Sequence, residues 1–359
     1  MDEESEDYFA RLVDEAALRS YLADRLGPVE AFAVERHGEG HSNETLFVQW
    51  GGRELVIRRP PPGETAETAH DVLREYHVMD ALQETPVPVP PTLLACEDDS
   101  VIGSEFYVME RVHGDVLREA EPEHFADPQI REQVGLRLVD GLAAIHQTDP
   151  EAVGLGEFGH PEGYTERQVR RWGAQLDWAF ERTETVREVP ELGEIGDWLE
   201  ANVPPTHPHT LVHGDYKLDN VLFRPGTPVE IGAILDWEMA TLGDPRADLG
   251  WLLVYWRDAG DPEFEEARQA PPFTANPGYP TRRELVDRWE SVTGLSFEHE
   301  RFYRVLAVYK LAGLGEMFFR RHLEGNADDA IYPEMERRVP ALAERALARS
   351  EERRVGKEC

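Results

Sequence analysis

The sequence predicts an α+β protein of two lobes, a small antiparallel-sheet lobe followed by a larger, mainly helical one. Three observations predict it. The 359 residues exceed the size at which one hydrophobic core keeps growing, so two cores are expected. From 29 to 112, short β-type runs are punctuated by glycine pairs and prolines. Beyond Gly114 the apolar residues recur at helical spacing instead.

Phe9, Leu12, Val13, Ala16, Leu18, Leu22 and Leu26 recur at three and four spacing, which predicts one amphipathic helix over 9–26, stopped by Gly27-Pro28. Strand runs at 29–36 and 44–50 flank the glycine-containing stretch His37 to Asn43, and Gly51-Gly52 turns the chain into a third strand, 53–59. A helix follows over 66–84. Pro86 to Pro91, PVPVPP, cannot continue it and must be extended connector. Strands at 92–96 and 105–112, the latter between Gly103 and Gly114, complete a first lobe of residues 1–112. The second lobe, 113–348, should hold helices at 127–148, 164–182, 282–293 and 299–323, with short strands near 210–213, 220–224 and 231–236. The last eleven residues, RSEERRVGKEC from Arg349 to Cys359, resemble a translated sequencing-adapter read-through and lie outside the expected fold.

Seventy-one acidic residues against 37 basic ones give a formal charge of −34, which repels nucleic acid phosphates and anionic membrane surfaces. Such a balance suits a halophilic, salt-loaded cytoplasm. Two cysteines, Cys96 and Cys359, make no disulfide framework or zinc pair. Met1 to Tyr8 is acidic, and no run approaches the roughly 18 apolar residues of a membrane span, so a cytoplasmic location is expected.

The chemistry concentrates in LVHGDYKLDNVLF, where His213, Asp215, Lys217 and Asn220 lie between two apolar runs, and in AILDWEMA, where Asp236 follows sixteen residues after Asn220. Phosphoryl transfer needs a carboxylate that orients or deprotonates the attacking hydroxyl, and oxygen ligands that hold magnesium against the phosphates. Asp215 suits the first task; Asn220 and Asp236 suit the second.

These motifs resemble the aminoglycoside phosphotransferase family, small-molecule relatives of protein kinases, and in particular its branch associated with acyl-CoA dehydrogenases. The resemblance covers roughly residues 29–325 and implies a bilobal protein-kinase-like fold that binds ATP and magnesium (Mg2+) between the lobes. It implies that H-G-D-x-x-x-x-N is the catalytic loop and that Asp236-Trp237 carries the metal-binding aspartate. Gly38, Gly40, Ser42 and Asn43 would form the loop over the phosphates, where small residues admit backbone N–H groups to the nucleotide. Arg58 stands where the pattern has a phosphate-binding lysine. Glu75 would be its partner, and an arginine there can pair bidentately. The Glu110 carbonyl and Val112 N–H would meet adenine, with Met109 behind. Lys217 would meet the transferring phosphoryl group, and His213 and Asp248 would brace the loop.

Other patterns are decoys. GLGEFG at Gly154, Gly156 and Gly159 lacks a preceding strand and runs into Pro161, so it is a loop. His207, His209 and His213 have no cysteine or carboxylate at ligand spacing, and a surface loop is expected. Trp172, Trp178, Tyr255, Trp256, Phe318 and Phe319 are core candidates, some of which would line the acceptor pocket. Only twelve positions separate Asp236 from Asp248, too few for a protein-kinase activation segment, so a peptide acceptor is not expected, and the resemblance implies a small-molecule hydroxyl instead. The dehydrogenase-associated resemblance points to a hydroxyacyl-CoA or hydroxy acid. The alternatives are an aminoglycoside kinase or a catalytically silent nucleotide-binding module acting through a partner.

Overall fold

The computed structural model of the chain describes residues 3–38, 43–62, 71–205, 209–261, 271–325 and 331–351. Where apolar spacing predicts one leading helix, two form: α1 (Glu3–Leu12) and α2 (Glu15–Leu26). Asp14 separates them. Its carboxylate accepts from the N–H groups of Ala16 and Ala17, both at 3.0 Å, and this N-cap starts a new helix rather than continuing the old one.

Strands β1 (Phe32–His37), β2 (Glu44–Trp50) and β3 (Arg53–Arg59) form the expected antiparallel meander, with Phe32 opposite Trp50 and Thr45 opposite Arg58. Helix α3 (Val72–Leu82) begins later than predicted because Asp71 caps it, accepting from the Arg74 N–H at 2.8 Å; residues 66–70 lie outside the described ones. Strands β4 (Thr92–Cys96) and β5 (Phe106–Glu110) complete an antiparallel sheet of order β1-β2-β3-β5-β4.

The period of two divides this sheet's side chains between two cores. Leu55, Ile57, Phe106 and Val108 pack on one side with Leu12, Leu18 and Leu22 of the leading helices. Val56, Tyr107 and Met109 face the other way, toward α3 and the second lobe.

That lobe contains α4 (Pro128–Gln147), α5 (Tyr164–Thr183), α6 (Pro190–Ala201), β6 (Thr210–Val212), β7 (Val221–Arg224), β8 (Glu230–Ile234), β9 (Thr241–Gly243), α7 (Pro245–Val254), α8 (Arg282–Thr293), α9 (Glu300–Leu323) and α10 (Met335–Glu351). Four of these, α6, α7, α10 and β9, have no counterpart among the predicted elements. Helix α7 is buried nearly all round, which erases the amphipathic period, and β9 has three residues. Helix α10 carries Pro340 inside it and runs on to Glu351, into the segment set apart as an artefact. Helix α9 is the spine, packed against α5, α6, α7 and α10.

Where the chain enters the second lobe, Asp115 and Phe223 exchange two hydrogen bonds of 2.8 and 2.9 Å, and a side chain at Gly114 would come within 2.8 Å of the Phe223 carbonyl, so only glycine fits. The two lobes meet at other points. The proline connector touches β8 through the Ile234 N–H and the Pro88 carbonyl, 2.7 Å apart. From α3, Arg74 Nη2 donates across the cleft to the carbonyls of Phe158 and Ala240, at 2.9 and 3.1 Å. Gly154 to Gly159 thus forms the expected loop, and it serves as a docking point for α3.

Candidate active site

The residues from His213 to Asn220 run between β6 and β7 as a bent loop, and the bend depends on Gly214. Its φ is 83°, and a Cβ there would sit 2.6 Å from the Met239 carbonyl oxygen. His213 is fully buried. Its Nε2–H donates to the Leu235 carbonyl at 2.9 Å, and its Nδ1 accepts the Asp215 N–H at 3.2 Å, the pattern of a neutral imidazole. Burial pushes its pKa down against the pull of Asp248 and Asp215. His213 therefore shapes the loop from beneath and does not face the cleft.

Asp248, in the first turn of α7, holds the same bend from the other side. Its two oxygens accept the N–H groups of His213 and Gly214, at 2.6 and 2.9 Å. His146 Nε2 lies 3.4 Å away, its Nδ1 accepting from Trp289 at 3.0 Å. Burial favours the neutral acid, but His146, His213 and the backbone donors outweigh it and hold the Asp248 carboxyl below its usual range.

Asp215 is the most fully bonded carboxylate of the loop. Oδ1 accepts the Trp251 indole N–H at 2.8 Å; Oδ2 accepts Lys217 Nζ at 2.6 Å and Asn220 Nδ2 at 2.9 Å. Burial works against ionisation, yet Lys217 and Lys310 keep its pKa below the ordinary value, so it is a carboxylate at neutral pH. Asn220 also donates to the Asp215 backbone carbonyl at 2.8 Å, which spends its amide nitrogen and leaves the amide oxygen for a ligand.

Asp236 sits just past β8 with φ 65°, a left-handed conformation uncommon outside glycine, and the Trp237 indole pins the bend by donating to the Ile234 carbonyl at 3.0 Å. Its Oδ1 is buried and has no hydrogen-bond partner among the described residues. Burial raises its pKa, Arg58 lowers it and Asp215 raises it further, for a net rise. An orphaned carboxylate oxygen beside a second carboxylate is a local deficit of positive charge. One carboxylate and one amide oxygen is the sparse, all-oxygen donor set that suits magnesium, which takes its remaining ligands from phosphate and water. Among the described residues no group of three or more His, Cys, Asp or Glu side chains forms a protein-only metal cage.

Across the cleft, Arg58 Nε lies 3.6 Å from Glu75 Oε2, while Nη1 donates to Thr45 Oγ1 at 3.0 Å. The pairing is single and long rather than bidentate, because the cross-strand neighbour Thr45 takes part of the guanidinium fork. Glu75 is 2 % exposed. Its Oε1 accepts the Trp237 N–H at 3.3 Å, tying α3 to the Asp236 bend, and its Oε2 has no hydrogen bond among the described residues. Burial pushes the Glu75 carboxyl up despite Arg58.

Of the residues expected over the nucleotide, Gly38 is exposed and a Cβ there would meet none of the described residues within 4 Å; Asn43 is buried beside β2; Gly40 and Ser42 lie outside the described residues. Glu110 ends β5, its N–H bonded to the Pro91 carbonyl at 2.8 Å and its side chain to Arg53 at 2.9 Å. Val112 follows in the lobe connection. Trp172, Trp256 and Phe319 are core; Trp178 is 40 % exposed; Phe318 stacks on Tyr332 at 4.7 Å. Tyr255 lies beside Trp251 and under Lys217, whose Nζ is 5.5 Å from its ring. His209 keeps a buried, unpartnered Nδ1, and His207 lies outside the described residues.

Sequence reasoning passes over two residues of this site. Trp251 follows Asp248 by three positions, on the same face of α7, so the two reach one loop together. Lys310 is the only charged residue between Arg304 and Glu316, an anomaly visible in the sequence but without meaning until the fold places it.

The profile of the phosphotransferase enzyme family matches residues 33–285. Acyl-CoA dehydrogenase family member 11 of Gallus gallus is 35% identical over 343 residues, covering 93% of this chain and 43% of that protein. Family member 10 of Mus musculus is 32% identical over 96% of this chain and 32% of its own length. The chain thus spans well under half the length of these curated relatives. Among solved structures, a candidate aminoglycoside phosphotransferase of Ralstonia eutropha superposes with TM-score 0.80 at 31% identity, covering 94% of this chain and 98% of that one. The GDP complex of aminoglycoside 2'-phosphotransferase-IIIa shares the fold at TM-score 0.61 and 17% identity, over 93% and 99% of the two chains. With its two-lobed α+β fold and the H-G-D-x-x-x-x-N loop in place, the chain belongs to the aminoglycoside phosphotransferase family, in the branch shared with acyl-CoA dehydrogenase family members 10 and 11.

Proposed function

We propose that the chain is an ATP-dependent kinase that moves the γ-phosphoryl group to a hydroxyl of a small hydroxy acid or hydroxyacyl-CoA. The observation that carries this reading is Asp215: ionised, fixed by three side-chain donors, and placed one loop away from the orphaned oxygen of Asp236. In this reading the Asp215 carboxylate orients the acceptor hydroxyl and takes up its proton. The acceptor O–P bond forms as the bond to the leaving ADP oxygen breaks, in line. Lys217 moves from Asp215 to the oxygens of the transferring group, where its charge stabilises the transition state. Asn220 and Asp236 would hold magnesium, which would neutralise charge on the phosphates. Arg58, kept in place by Glu75, meets the phosphates. Gly38, Gly40, Ser42 and Asn43 close over them, the Glu110 carbonyl and Val112 N–H take adenine, and His213 keeps the loop bent.

The acceptor class rests on the relatives, whose names place this kind of domain beside acyl-CoA dehydrogenases. No described helix is long and apolar enough to cross a membrane, and a cytoplasmic, halophilic setting without nucleic acid or membrane partners accords with the −34 charge. Arg58 favours a second reading: an arginine in the place of the phosphate-binding lysine, with its Nη1 already engaged by Thr45, is what a silent nucleotide-binding module would show. The test is ADP release in high-salt buffer with ATP and magnesium, against hydroxy acids, their CoA thioesters and aminoglycosides. Release that depends on a hydroxy acid or its thioester and disappears in Asp215→Asn supports the proposal. Phosphorylation of aminoglycosides alone overturns the acceptor class, and tight nucleotide binding without turnover on any acceptor favours the silent module.

A further inference from the structure

Lys310 lies in the middle of α9, 9 % exposed, with Val308, Tyr309, Leu311 and Ala312 buried around it. An ammonium in such a place is costly, and a well-packed apolar side chain of similar volume is often the more stable choice. Its contacts all lead to the catalytic loop. Nζ donates to the Gly214 carbonyl, at the bend that Asp248 holds through the Gly214 N–H. Nζ also lies over the Trp251 ring, 4.0 Å from its centroid, with Trp172 of α5 on a further side at 5.6 Å. The same Trp251 indole donates its N–H to Asp215 Oδ1 at 2.8 Å. One cation therefore grips the loop directly through Gly214 and indirectly through the face of the ring whose edge holds Asp215.

We propose that Lys310 is a positioning residue for phosphoryl transfer, its ammonium fixing the Trp251 indole and the Gly214 carbonyl so that Asp215 keeps one orientation toward the acceptor. The charges that face it are Asp215 and Lys217 from the loop, Asp248 from α7 and Arg171 from α5. Burial pushes Lys310 down to about 8 against the pull of Asp215 and Asp248. Asp215 and Asp248 are held below their usual range and Lys217 above its own, so Lys310 is the group in this set that changes charge in mildly alkaline solution. Above that pH the cation is lost, and with it the grip on Trp251.

The kinetic half of this proposal rests on the kinase reading; the spectroscopic half does not. The experiment records the indole N–H resonances of the full chain across pH 6–10, with the Trp251 signal assigned by its disappearance in Trp251→Phe. In parallel it measures magnesium-dependent ATP hydrolysis, with water as acceptor, and ADP affinity. In wild type the Trp251 signal should titrate with a midpoint near 8 and hydrolysis should fall through the same midpoint. Lys310→Met should shift that signal, abolish its titration and lower hydrolysis by about tenfold at unchanged ADP affinity. Lys310→Arg, always charged, should keep activity and lose the alkaline fall; it decides the matter should the methionine variant not fold. A Trp251 signal that does not titrate in wild type, hydrolysis unchanged in Lys310→Met, or hydrolysis lost together with ADP affinity overturns the proposal. If wild type neither binds ADP nor hydrolyses ATP, the kinase reading fails while the Trp251 titration still answers for Lys310.

Discussion

The two walls of the cleft treat their carboxylates in opposite ways. On the helical-lobe side, Asp215 and Asp248 have a donor for every oxygen and titrate below their ordinary range. On the side facing the sheet, Asp236 and Glu75 each bury an oxygen with no hydrogen bond and titrate above it. The protein alone completes the first wall. The second stays short of positive charge, which a magnesium ion held there would supply. In the proposed reading, preorganisation is thus concentrated where a hydroxyl would be aimed, and the deficit lies where a cation would be captured.

The largest expected effect tests the complete wall. Asp215→Asn keeps the shape and removes the charge, so turnover should fall by about 10²–10⁴-fold while nucleotide affinity is retained; a loss confined to nucleotide binding would place Asp215 on the wrong wall.

Next comes Asp236→Asn. It should abolish magnesium-dependent nucleotide binding and yet stabilise the ligand-free chain by about 1 kcal/mol, because an orphaned buried charge is removed. The sign of the pH dependence follows. With folded pKa values raised, Asp236 and Glu75 make ligand-free stability decline as pH climbs from the ordinary carboxylate range through those raised values. Asp215 and Asp248, whose folded values are depressed, contribute stability above the ordinary range that is lost as pH falls through the depressed values. Thermal melts from about pH 2 to 8 should show the first slope flattened in Asp236→Asn and the acid limb unchanged.

A smaller effect is expected from Trp251→Phe, which deletes one donor to a charged oxygen and should slow turnover about tenfold with little change in nucleotide affinity. Smallest is Arg58→Lys. It exchanges a fork shared between Thr45 and Glu75 for the more compact ammonium, and it should alter ATP affinity by a few-fold at most, about 1 kcal/mol, if the nucleotide supplies most of the contacts on this wall. A large gain in turnover from that one change would instead mark Arg58 as the residue that silences the chain.

Much of the first wall was legible in the sequence because it is local. His213, Asp215, Lys217 and Asn220 share one short loop, and direct bonds link Asp215 to Lys217 and Asn220. Strands β2, β3 and β4 and helix α8 begin and end where glycine pairs, prolines and apolar runs predict. What escaped is what depends on packing. Helix α7 is buried on nearly every face and shows no period, so Trp251, three residues after Asp248, carries no signal of its own in the sequence. Lys310 lies ninety-five positions from Asp215 in sequence. The predicted Arg58–Glu75 fork opened into a single contact because strand register sets Thr45 opposite Arg58, a competition that spacing alone does not display. The capping carboxylate of Asp14, reaching the N–H groups of Ala16 and Ala17, divided a helix that the apolar pattern ran through.

The most direct test of the account is phosphorus NMR of the full chain incubated with ATP, magnesium and a hydroxy acid or its CoA thioester, beside Asp215→Asn. The account predicts a new phosphomonoester signal growing in step with ADP, absent in the variant while the variant still binds nucleotide. ATP bound and left intact with every acceptor, or a phosphomonoester formed equally well by Asp215→Asn, would contradict it.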